Sequence, residues 1–127
     1  MENRFHFRLF DIQEKKYIKD FVIDKDGNIF FINLRKDFIK LDKDRFKLMQ
    51  STGLVDKNGK EIYEMDILTD GSIKYLVKFD EERAWFIMQP ILREKTLLTD
   101  YEELGKRYMH YYEIIGNIYE NKELLGE

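Results

Sequence analysis

The chain has 127 residues, a net charge of −3, 43% hydrophobic and 37% charged residues, and no cysteine. That length holds one domain or two small units with a buried core, and the apolar fraction is too high for a disordered chain. Lack of cysteine excludes disulfides, thiolate nucleophiles and thiolate-held zinc or iron–sulfur clusters, and the mild acidity gives no general pull toward nucleic acid or membrane.

From the N-terminus, Phe5, Phe7 and Leu9 alternate with His6, Arg8 and Phe10, predicting a first strand with one apolar face. The stretch lacks the apolar core of a signal peptide, and no 18 apolar residues run together, so a cytoplasmic address with no membrane span is expected. Tyr17–Ile23 and Ile29–Ile32 flank the polar turn Asp24-Lys25-Asp26-Gly27-Asn28 and predict a hairpin reaching Leu34. Asp37–Gln50 fits neither helical nor strand period cleanly; it reads as extended, with a turn at Asp42-Lys43-Asp44. Ser51-Thr52-Gly53 marks the expected boundary between an N-terminal β-rich unit, 1–48, and a second domain, 49–127.

Asn58-Gly59 is a strong hairpin signal, and the pair suits the positive φ angles of a type I′ turn. Beyond it, Glu61–Leu68 alternates polar and apolar residues as a single half-buried strand would. Asp70-Gly71 and Asp80–Arg83 are further turns around Ile73–Phe79 and Ala84–Met88, which together predict an antiparallel meander. Thr99-Asp100-Tyr101-Glu102 matches a capping box and predicts a short helix to about Tyr108. His110–Tyr119 returns to strand composition, and Asn121 caps a closing helical turn.

No residue set assembles a catalytic site. Asp24, Asp26 and Asn28 suggest a calcium loop, but with Gly27 at the obligatory glycine position Val22 and Asn33 replace two ligands, so a hairpin turn is the expected role. His6 and His110 are the only histidines and have no metal-site spacing. Ser51, Thr52, Ser72, Thr96 and Thr99 lack a nucleophile elbow, and Asp80, Glu81 and Glu82 are the kind of pairing that 25 acids produce by chance. Trp85, Phe86, Tyr111, Tyr112 and Tyr119 could stack bases or peptides, or fill a core. Charge is uneven: Arg35–Lys47 holds six cations against three anions, local net +3, and Asp100–Glu127 holds seven anions against three cations, local net −4. Mixed signs of this kind usually form solvated faces, and the sharper reading is docking between the two regions or a weak anion-binding strip.

Three segments carry a family resemblance. Leu48–Ile67, Glu113–Leu125 and Phe7-Arg8-Leu9-Phe10-Asp11 resemble the central signature, closing segment and opening of the YopX-like proteins of phages and prophages. In the opening, Phe10 replaces the tryptophan. Two departures stand out: Met65 takes the place of the usual glycine before Asp66, and Pro90 is expected to close off the Trp85 strand early or place it at an edge. The resemblance implies a mainly β fold with an SH3-like barrel in the C-terminal part, phage or prophage origin, and no assigned activity or site residues to carry over. Gly116 relaxes the last strand, and Asn117 and Asn121 can bond backbone at its bends.

The expectation is therefore a non-enzymatic phage accessory protein, without cofactor or metal, acting through protein–protein contact, as a homo-oligomer or on an unidentified protein. The alternative is a small nucleic-acid-binding module using the aromatic residues with Lys36, Lys40, Arg45 and Lys47.

Overall fold

The structure, a computed structural model, describes residues 5–91, 102–103 and 110–125. The chain is mainly β, and its described strands form open antiparallel sheets. It divides into two compact units, Phe7–Met49 and Met1–His6 with Gln50–Glu127.

In the smaller unit, β1 (Phe7–Asp11) pairs with β2 (Lys16–Ile18) on one side and the start of β6 (Phe46–Val55) on the other. β3 (Val22–Ile23), β4 (Ile29–Ile32) and β5 (Phe38–Lys40) form a separate three-stranded sheet. The expected strand Tyr17–Ile23 is thus split between two sheets. The first strand also turns a different set inward: Leu9, Phe10 and Asp11 are buried, while Phe5, placed on the apolar face by alternation, is 68% exposed. Asp11 is tolerated inside because both carboxylate oxygens accept hydrogen bonds. Its Oδ1 accepts from the backbone N–H of Gln13 and Glu14 at 3.0 and 3.2 Å, and Arg45 donates to both oxygens at 2.9 and 2.8 Å.

In the larger unit, β6 runs through Ser51-Thr52-Gly53 without a break in the strand, close to the division between the units at Met49 and Gln50. Gly53 has φ +80°, and the register with β7 (Glu61–Tyr63) shifts between Ser51 and Val55, so the residues that read as a boundary form a bulge. The expected strand Glu61–Leu68 breaks at Glu64-Met65 into β7 and β8 (Asp66–Thr69), which lie in different sheets. The cause is local: Met65 adopts φ +70°, and the Asp66 carboxylate accepts from Tyr63 N–H at 2.8 Å. β8 continues the meander through β9 (Lys74–Asp80) and β10 (Trp85–Ile91) to β11 (Glu102–Glu103), and β12 (Glu113–Asn117) returns beside β8. Ile62, Leu68, Tyr75, Val77, Met88 and Tyr112 form the core, with Tyr75 and Tyr112 in edge contact at 5.6 Å. The order β11-β10-β9-β8-β12 is open, so the expected barrel is not closed among the described residues. Glu102 and Glu103, expected in a helix, pair as strand with Met88 and Ile87; the rest of the helix expected over Thr99–Tyr108 lies outside the described residues.

Candidate functional site

Most residues with chemical potential are occupied by the backbone. At Asp24, Oδ1 accepts from Asp26 N–H (2.9 Å) and Asn28 N–H (2.8 Å), and Oδ2 accepts from the Asn28 amide at 3.0 Å. These bonds, led by that of the Asn28 side chain, hold its carboxyl below the usual carboxylate range. The calcium-like triplet is a turn. The same geometry recurs at Asn33, which accepts from Arg35 and Asp37, and at Asp56, which accepts from Asn58 and Lys60. In each, the fourth residue of the loop is left-handed: Gly27, Lys36 and Gly59. Asn58 keeps a negative φ, so the Asn58-Gly59 turn is a type I turn followed by a left-handed glycine, and not the type I′ turn that the dipeptide predicted.

Asp56 also fastens the two long segments that carry the family resemblance. Its Oδ2 accepts from Ile114 N–H at 3.0 Å, and Lys57 N–H donates to the Tyr112 carbonyl at 2.9 Å. Asn58 Nδ2 donates to Glu113 Oε1 at 3.2 Å. Further on, Ile118 N–H donates to the Met65 carbonyl at 3.1 Å. Gly116 stands where an added Cβ would come within 2.3 Å of Asn121 Oδ1, the atom that accepts from Asn117 N–H. These residues shape the β framework.

The other candidates are scattered. His6 Nδ1 lies 3.0 Å from Glu61 Oε1 on the surface, and His110 stacks on Tyr111 with ring centroids 3.9 Å apart. Ser51 Oγ accepts from Gly53 N–H, and Thr52 Oγ1 donates to the Ile62 carbonyl. Asp80 is tied to Arg83, whose hydrogen bond lowers its pKa. Thr96 and Thr99 lie outside the described residues. No group of three or more His, Asp or Glu that could hold a metal occurs among the described residues. Glu64 accepts from Gln50 N–H at 2.8 Å, and burial raises its pKa. Burial, helped by the Glu64 charge, also raises that of Tyr119.

The aromatic candidates do not form one platform. Tyr112 belongs to the core, Phe86 packs edge-on against Phe79 at 5.2 Å, and Trp85 and Tyr111 are 43% and 61% exposed. Nor do the cations form one strip. Arg45 is held by Asp11 and stacked over Phe46 at 4.8 Å, and Lys47 donates to the Lys43 carbonyl.

One group of exposed apolar side chains lies on the three-stranded sheet, and the sequence pattern did not reveal it. Register sets Val22 beside Phe30 and Lys40, and Ile32 beside Phe38, so the five share one face of the β3-β4-β5 sheet. Phe38 is 64% exposed and meets the Phe30 ring edge-on at 6.4 Å. Val22, Ile23, Asp24, Phe30 and Phe38 line an open groove of about 410 Å³. Phe31 and Ile39, on the opposite face, are exposed too. The uninterrupted apolar run Ile29-Phe30-Phe31-Ile32 suits a strand covered on both faces, and in sequence it reads the same as a core strand.

The chain is thus mainly β, many of its polar side chains build turns, and Val22, Ile32 and Phe38 stand exposed on one face of its three-stranded sheet. The family description "YopX protein" matches residues 6–126, and the chain belongs to that family. Among solved structures it is similar to protein EF1440 from Enterococcus faecalis, at 27% identity and a TM-score of 0.61 over 94% of this chain and 96% of the other. No curated protein matches. No helix among the described residues is long and apolar enough to cross a membrane.

Proposed function

We propose that this is a non-enzymatic accessory protein of a phage or prophage that works in the cytoplasm by protein–protein contact, through the outer face of β3-β4-β5. The observation that carries the reading is the groove formed by Val22, Phe30 and Phe38, rimmed by Asp24 and Lys40. Apolar side chains left on both faces of so small a sheet favour a covering partner. The larger unit reads as an SH3-like module, supported by a meander whose last strand comes back beside the first. Affinity capture from host lysate, combined with native mass spectrometry, tests the function. The expected result is a retained protein, another copy of the chain or a different one, whose retention drops when Phe38→Asp is used as bait.

The nucleic-acid alternative keeps one supporting observation, the exposed Trp85 and Tyr111. Retardation of single-stranded nucleic acid that fades steeply with salt, with no protein retained, would favour it over the interaction reading.

A further inference from the structure

We infer that Asn58-Gly59 is a site of spontaneous covalent modification, guarded by the docking of β12, and that the modification weakens that docking once it has occurred. It is the only Asn-Gly pair in the chain, and both residues are exposed. In such a pair the glycine nitrogen can attack the asparagine amide carbon, because glycine has no side chain to hinder the approach. A Cβ added at Gly59 would meet nothing within 4 Å, so the space beside it is open. The bond that forms, from Gly59 N to Asn58 Cγ, closes a succinimide. The bond that breaks is Cγ–Nδ2, and Nδ2 leaves as ammonia with the proton given up by Gly59 N. Water then opens either imide carbonyl, leaving aspartate or isoaspartate at position 58.

Native contacts hold both reacting groups. Gly59 N–H, which must give up its proton, donates to the Asp56 carbonyl at 3.0 Å. Asn58 Nδ2, the leaving group, donates to Glu113 Oε1 of β12 at 3.2 Å. The reaction therefore runs from molecules whose loop has opened, at a rate that follows the population of the open state. The product acts back on the loop. A carboxylate replaces the amide that Glu113 accepts from, so attraction becomes repulsion between like charges. Isoaspartate also adds a backbone atom inside the loop whose N–H groups at 58 and 60 both reach Asp56 Oδ1. The same Asp56 carboxylate holds Ile114 N–H, which carries the disturbance into β12.

Peptide mapping by mass spectrometry tests this on the full chain, incubated in mildly alkaline buffer both folded and in urea, with circular dichroism to confirm the fold of each variant. Conversion at Asn58 is expected in both conditions, at least about 10-fold slower in the folded chain. Folded Glu113→Ala should convert about 2- to 5-fold faster than the wild type, while Glu113→Gln, which keeps an acceptor oxygen, stays close to it. In urea all three convert at one rate. Hydrogen exchange at Ile114 reads the consequence: it should be faster in Asn58→Asp than in Asn58→Ala, by a margin that shrinks in high salt. No conversion at Asn58 in urea overturns the site. Equal rates folded and unfolded, or folded Glu113→Ala matching the wild type, overturn the guard by β12. Exchange at Ile114 no faster in Asn58→Asp than in Asn58→Ala overturns the weakening of the docking.

Discussion

At the residue scale, several positions are fixed by backbone geometry. Met65 sits at φ +70°, a conformation that costs an L-residue about 1–2 kcal/mol and glycine almost nothing. Comparing Met65→Gly with Met65→Ala removes the side chain in both, so the glycine variant should be the more stable by about 1 kcal/mol in urea denaturation. At an ordinary strand position the order would be reversed. Gly116→Ala should cost about 2 kcal/mol, because its Cβ would meet three atoms of Asn121 within 3.0 Å. Part of that cost should vanish in an Asn121→Ala background, and a strictly additive double-mutant cycle would contradict the contact.

Two carboxylates give opposite pH signatures. The Arg45 hydrogen bond holds the Asp11 carboxyl well below its usual range. Its stabilising effect is thus full above the unfolded value near pH 3.9 and is lost as pH falls through the folded value. Arg45→Met should unfold at distinctly higher pH in an acid titration. Glu64 is shifted the other way by burial, so its favourable contribution holds below the unfolded value near pH 4.3 and is lost as pH rises through the folded value. Glu64→Gln, which keeps an oxygen to accept from Gln50, should raise the melting temperature at pH 7 and change little below pH 4.

At the level of elements, the loop at Asp56 adds to the β8–β12 pairing in joining the signature segment to the closing strand. One carboxylate accepts three backbone N–H groups, so Asp56→Ala should cost about 3 kcal/mol. Hydrogen exchange should accelerate at Ile114 as well as at Asn58 and Lys60. Protection retained at Ile114 would mean that β12 is held by β8 alone. Local chemistry of this kind was legible in the sequence: the turns at Asp24–Asn28, Asp42–Asp44 and Asn58-Gly59 all exist, and alternation located the meander. Partnership was not legible. Alternation across Glu61–Leu68 is the same whether one strand or two produce it, and only the left-handed Met65 divides it between sheets. Ser51-Thr52-Gly53 has a loop composition, yet its hydroxyls bond backbone inside β6. The capping-box pattern at Thr99–Glu102 describes a local preference, and at Glu102-Glu103 strand pairing overrides it.

For the whole molecule, composition excluded thiol chemistry, and the motifs pointed to a mainly β member of the YopX family, which the match over residues 6–126 shows. The candidate site was out of reach for a physical reason. Apolar residues such as Val22, Phe30 and Phe38 look alike in sequence whether they end in a core or on a surface, and only register and packing separate the two. The charge contrast also changed meaning once side chains were placed. Arg45 belongs to a buried carboxylate, whereas Asp24 lines the outward groove and Lys40 stands beside Phe30.

The proposed contact through the exposed β3-β4-β5 face has a direct test in solution. A concentration series of amide nuclear magnetic resonance spectra addresses it residue by residue. Shifts that grow with concentration, or on addition of the captured protein, are expected at Val22, Phe30, Ile32 and Phe38, with Trp85 and Tyr111 unmoved. Shifts centred on Trp85 and Tyr111, with β3-β4-β5 silent, would contradict it.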